Sequence, residues 1–129
     1  MKIYNFTPHE VTIVTGAEFR PEIRKYVRTD RTETVTAIPS SGVLSARIES
    51  CDLEPINGIP VIGKKITACD PLPAEVGDGD IVIVSALYAT AFTRIHGNDA
   101  RLYTIADPVY VIDGRATTII GCRGICPVF

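Results

Sequence analysis

Branching at Cβ sets the strongest limit on what this chain can form. It contains 17 Ile, 12 Val and 13 Thr among 129 residues, against 5 Leu and 1 Met. A β-branched side chain keeps few χ1 rotamers in a helix but packs well on a pleated surface, so the excess points to sheet. The expectation is an α+β, mainly β fold built on a curved antiparallel or mixed sheet. At this length the chain reads as one domain over residues 1–129, long enough to bury about two thirds of its unfolded surface. Hydrophobic residues at 46% and charged residues at 22% exclude general disorder. A net charge of −2 argues against coating bulk nucleic acid, which needs a basic face. No apolar run approaches the roughly 20 residues of a membrane span, and Met1-Lys2 opens no secretory signal. A cytoplasmic, membrane-independent protein is therefore expected.

Turn chemistry divides the chain further. Asn57-Gly58 and Asp113-Gly114 are both dipeptides suited to type I′ turns, whose two central residues have positive φ, so two hairpins are expected. The first joins residues 43–56 to 59–69, and the second joins 109–112 to 115–122. Ile81-Val82-Ile83-Val84 is apolar on both faces and reads as a buried central strand. It runs into Ser85-Ala86-Leu87-Tyr88-Ala89-Thr90-Ala91-Phe92, the one short helix expected, over about 85–92 with Ser85 as its cap. Residues 94–101 read as a polar loop. Residues 17–33 mix five basic side chains with four acidic ones. They form either an extended hairpin or a charged excursion, and the mixed signs favour a solvated surface over a basic binding arm.

The cysteines are Cys51, Cys69, Cys122 and Cys126. No CxxC pair occurs, so no metal site or other cofactor is expected. A two-residue turn at Asn57-Gly58 sets Cys51 opposite Lys64 and Cys69 opposite Ala46, out of register for a bridge. Free thiols are the expectation.

Several groups of residues can carry chemistry. The strand-to-helix junction at Ser85 offers free backbone N–H groups and a positive helix end to an anion. It lacks the glycines of a phosphate loop, so an ordinary cap competes with that reading. Residues 93–101 hold Arg94, His96, Asn98, Asp99 and Arg101, flanked by Phe92 and Tyr103. Arginines can hold phosphate in a bidentate grip, Asn and Asp can read ribose or a base edge, and the aromatic rings can stack on a base. An exposed loop is the plain alternative. His9, in Thr7-Pro8-His9, is either a ligand contact, a general base or a side chain bonded to its own turn. Arg123 beside Cys122 would lower the thiol pKa, but a nucleophilic cysteine also needs a base in reach, from His9 or His96. An ordinary role in tight packing, with Gly121 and Gly124 allowing close backbone approach, is favoured.

Three stretches resemble one group of proteins. They are Asn5-Phe6-Thr7-Pro8-His9-Glu10-Val11, then Ile38-Pro39-Ser40-Ser41-Gly42-Val43, and Gly114-Arg115 with Ile120-Gly121-Cys122-Arg123-Gly124. The chain is similar in these to small, mostly uncharacterised proteins of bacteriophages and prophages that open with an Asn-Leu-Thr-Pro-His-like strand. Phe6 stands here for the usual leucine, and residues 17–33 look like an insertion. The resemblance implies a phage accessory protein in the host bacterial cytoplasm, and it brings no catalytic mechanism. By analogy with phage proteins that sequester immune signals, the expected function is non-catalytic binding of a small, phosphate-bearing, nucleotide-derived signal. Arg94, Arg101 and Arg123 would hold phosphates, Asn98 and Asp99 would read ribose or base, and Phe92 or Tyr103 would stack. A homo-oligomer is expected, since so much Ile and Val leaves apolar surface to pair. Two alternatives remain: a protein-interaction module inhibiting a host enzyme or serving phage assembly, and a nucleotide-cleaving hydrolase using His9 or His96.

Overall fold

The apolar run at 81–84 is the axis of the fold. A computed structural model describes residues 1–128, and in it Val82, Ile83 and Val84 are buried on both sides of a short strand. The chain order is β1 (Ile3–Asn5), β2 (Val11–Thr15), β3 (Glu18–Arg20), β4 (Lys25–Val27), β5 (Glu33–Ile38), β6 (Ala46–Ile56), β7 (Ile59–Cys69) and β8 (Ile81–Ile83). Helix α1 (Ala86–His96), β9 (Leu102–Asp113) and β10 (Ala116–Pro127) follow. The expected mainly β architecture holds, as a curled mixed sheet forming a half-barrel with one helix. No helix among the described residues is long and apolar enough to cross a membrane.

The main sheet runs β1-β8-β9-β10-β2-β5, with the β3–β4 hairpin attached through β4 to β9. β1, β8 and β9 are mutually parallel, β9 and β10 form an antiparallel hairpin, and β10 lies parallel to β2. One edge of β9 serves two neighbours. Leu102 and Tyr103 pair with β8, and Val109 and Tyr110 pair with β4. Asp107, at φ 54, and Pro108, which has no N–H to donate, lie between these two pairings.

Apolar side chains pack on both faces of this sheet. Val82, Val84 and Leu102 meet Tyr88, Ala89 and Phe92 of α1, closed off by Phe6 and Val76. Ile83 packs with Val11 and Cys122, edged by Ile13, Ile38 and Ile125. Among the described residues Asn5 is the one buried polar side chain, and each of its polar atoms has a partner. Its Nδ2 donates to the carbonyls of His9 (2.8 Å) and Ile38 (3.0 Å). Its Oδ1 accepts from the Thr7 amide (3.0 Å) and the Thr7 hydroxyl (2.6 Å). The Asn5-Thr7-His9 pattern is thus a device that folds the β1–β2 connection and ties it to β5.

The helix extends beyond the expected 85–92. It spans Ala86–His96, with the Ser85 hydroxyl accepting the Tyr88 amide and Gly97, at φ 86, closing the end. Thr93 and Ile95 are poor helix formers, which hid the last turn. Tertiary and local contacts outweigh that weakness, because the Thr93 hydroxyl bonds the Ala89 carbonyl and Phe92 lies against His96 at 4.7 Å. Arg94 and His96 are therefore helical, not parts of a loop.

Residues 17–33 form a hairpin, β3–β4, followed by a turn into β5. At the first long hairpin, Asn57 and Gly58 have φ 51 and 77, the two positive values a type I′ turn needs. At the second, Asp113 pairs with Ala116, so the two loop residues are Gly114 and Arg115. Only Gly114 has positive φ there, the pattern of a II′ turn one residue later than expected.

β6 and β7 stand apart as a two-stranded ribbon, each strand 11 residues long. Ala46 and Cys69 at its base pack against the helix-side core. Tyr88 donates its hydroxyl to the Asp70 carbonyl at 2.7 Å, and the His96 ring lies 3.4 Å from the Cys69 carbonyl. A bulge between Leu53 and Ile56 sets Cys51 opposite Gly63 instead of Lys64. A second, between Arg47 and Ile48, restores the expected pairing of Cys69 with Ala46. All four cysteines are free.

Candidate functional site

The half-barrel leaves a cleft of about 620 Å³ at its open side. The Asn5-organised loop supplies Thr7, His9 and Glu10, and β2 supplies Val11 and Thr12. The β8–α1 junction adds Val84, Ser85 and Ala86. β9 contributes Thr104 and Ile105, and β10 contributes Ile119, Ile120, Gly121 and Cys122. The wall is thus mostly aliphatic, with hydroxyls, one imidazole and one carboxylate on it.

Local chemistry explains two parts of this wall. β10 bulges between Ile119 and Gly121. A Cβ on Gly121 would sit 2.7 Å from the Thr12 carbonyl oxygen, so only glycine lets β10 pass this close to β2. Gly124 has no such neighbour. At the other side, the first-turn amides of α1 have no acceptor within the helix. Ser85 caps one by accepting from Tyr88 at 3.1 Å, and the positive end of the helix dipole faces the cleft at Ser85 and Ala86.

The residues singled out in the sequence fall in several places. Ser85 and His9 line the cleft. Arg94, His96 and Asn98 sit at the opposite end of α1, roughly 15 Å away at 1.5 Å per residue. Phe92 is buried in the core against Tyr88 and His96. Tyr103 is half-buried in β9, paired with Ile83 and Pro127. Asp99 and Arg101 grip each other, with Oδ1 accepting from Nε at 3.0 Å and Oδ2 from the guanidinium at 2.8 Å. Arg101 also donates to the Val76 carbonyl at 3.2 Å, so this pair fastens the loop entering β9. The Arg101 hydrogen bonds hold the Asp99 carboxyl below the ordinary carboxylate range, against the smaller effect of burial.

Arg123 turns away from the cleft. It donates to Asp107 at 2.9 Å and to the Tyr26 hydroxyl at 2.8 Å, with its guanidinium 4.4 Å from the Tyr26 ring centre. It staples the β3–β4 hairpin to the β9–β10 hairpin. Cys122 therefore gains nothing from its neighbour in sequence, and burial pushes its thiol pKa up. His9 lines the same cleft, yet no hydrogen bond links the two among the described residues. A buried, neutral thiol without a bonded base is a packing residue. No cluster of three metal-ligating side chains occurs among the described residues.

Glu10, Thr12, Thr104, Ile105 and Ile119 were not singled out in the sequence. Gly121 was the available signal, since a glycine inside a strand marks a bulge or close approach. The class these features define is a small mainly β protein with a ligand-sized cleft at the mouth of a half-barrel. Comparison with family models, curated proteins and solved structures finds no match for this chain.

Proposed function

We propose that the protein binds and sequesters a small nucleotide-derived ligand in this cleft, without catalysis, as a phage accessory protein acting against host immune signalling. The observation that carries the reading is the cleft itself. Its volume of about 620 Å³ lies within the usual range for small-molecule sites, roughly 300–1,000 Å³. Ile105 and Ile119, both exposed, offer an aliphatic surface to a base. The α1 N-terminus with Ser85 suits a phosphate, and the His9 imidazole on the same wall offers a ring nitrogen for a hydrogen bond. Arg94, Arg101 and Arg123 take no part in this arrangement within one chain, so the ligand carries few phosphates. The high thiol pKa of Cys122 supports binding over covalent chemistry.

A thermal-shift screen against mononucleotides, cyclic nucleotides and cyclic dinucleotides tests the reading, with the bound compound recovered and chromatographed. The expected result is a rise in Tm with at least one nucleotide, released intact. Ile105→Glu should abolish the rise by placing a carboxylate on the aliphatic wall. Stabilisation by no nucleotide would sink the reading, and so would recovery of a cleaved product.

A further inference from the structure

The β6–β7 ribbon carries a surface that the rest of the chain leaves uncovered. Residues 49–60 are all exposed. Leu53, Ile56 and Ile59 show 52%, 63% and 64% of their surface to solvent. The ladder pairs Leu53 with Val61 and Ile56 with Ile59, so these four side chains share one face near the tip. Leu53 also lies across Gly63, where a Cβ would meet it at 3.0 Å. A two-stranded ribbon is marginal in water by itself, and a contiguous exposed apolar patch marks an interaction surface.

Charge identifies the partner. β6 carries Glu49, Asp52 and Glu54 beyond its basal Arg47, while β7 carries Lys64, Lys65 and no acidic residue. Glu49 stands opposite Lys65 across the ladder, but no two of these charges come within ion-pair distance; the ion pairs among the described residues are Asp99–Arg101 and Asp107–Arg123. Among the described residues, neither outer edge of the ribbon has a neighbouring strand. We propose that the ribbon's partner is a second copy of this chain, the acidic β6 of one ribbon lying antiparallel beside the basic β7 of the next.

Symmetry follows from the charges. A two-fold contact would set β6 against β6, acid on acid, or β7 against β7, lysine on lysine. Head-to-tail contact sets unlike charges together at every junction, and a closed ring of such contacts leaves no open strand edge. Pro55 and Pro60 have no N–H, so added ladder bonds are confined to the ribbon below its tip. At the tip, the Leu53, Ile56, Ile59 and Val61 faces of successive copies join into one apolar band. This assembly does not depend on what the cleft binds.

Analytical ultracentrifugation of the full chain, over a wide range of concentration and salt, is the test. The wild type should sediment as an oligomer that weakens as salt rises. The double variants Lys64→Glu/Lys65→Glu and Glu49→Lys/Asp52→Lys should each be monomeric, because each makes both strands alike in charge. Mixed in equal amounts they should reassemble into alternating assemblies of even subunit number, in which unlike strands meet again at every junction. A wild type that stays monomeric throughout overturns the proposal, as does an oligomer that survives either reversal. Hydrogen exchange on the wild type keeps the test independent of how the variants fold. The outward-facing amides of β6 and β7 should be protected in concentrated samples and not in dilute ones, and equal exchange in both overturns the proposal.

Discussion

Ile83 and Ile59 show how differently the half-barrel and the ribbon use the same side chain. Ile83 sits in β8 with none of its surface in water, whereas Ile59 at the ribbon turn keeps 64% exposed. Both segments are rich in β-branched residues and both form ladders. The half-barrel has α1 on one face and its own curvature on the other, so its strands are covered by their own chain. Among the described residues the ribbon packs on the helix-side core at Ala46 and Cys69, and Ile48 and Ile66 beyond them are half-buried. Towards the tip it is backbone pairing without a core. Strand formation alone therefore says little about where stability lies; that depends on what covers the strand.

Substitution at matched residues sharpens this contrast. Ile83→Ala removes a fully buried side chain and leaves a cavity, which should cost about 3–4 kcal/mol. In thermal unfolding of the monomer that is a fall in Tm of about 10 °C or more. Asn5→Ala comes next, at about 2–3 kcal/mol. It strips partners from the Thr7 amide and the His9 and Ile38 carbonyls, some of them shielded from water. Chemical denaturation with an unchanged m-value would confirm that stability alone has moved.

The Asp99–Arg101 clamp should show a smaller, pH-dependent effect of about 1 kcal/mol, since both side chains are mostly shielded. The folded pKa of Asp99 lies below its unfolded value. Its contribution is then complete above about pH 4 and is lost as pH falls through the lower folded value. Asp99→Asn should lower Tm at neutral pH and flatten the acid limb of its pH profile. A parallel acid limb in variant and wild type would remove this pair from the acid response. Ile59→Ala is the smallest of the series, within about 0.5 kcal/mol for the monomer. A loss there as large as that of Ile83→Ala would show that the ribbon is covered even in the single chain.

The elements were legible wherever their cause is local. Asn57-Gly58 marked a turn because few dipeptides accept two positive φ values, and Ser85 marked a helix start because its hydroxyl reaches an amide three residues on. The helix end was missed because Thr93 and Ile95 argue against it locally, while Phe92 and His96 extend it through packing. The arginines were misleading for a related reason. A guanidinium looks available in a sequence until its carboxylate is placed. Asp99 for Arg101 was two residues away, but Asp107 and Tyr26 for Arg123 are 16 and 97 residues away.

The sequence by itself therefore determined a β-rich chain, its first long turn, its helix start and its buried central strand. Each follows from chemistry acting over a few residues. Tertiary structure alone decided that residues 7, 9–12, 84–86, 104–105 and 119–122 share one cleft, and that the ribbon tip stands uncovered. Those outcomes depend on which strands pair across long stretches of chain. Strand pairing is set by how the whole sheet curls around its buried residues, and no short window of sequence carries that information.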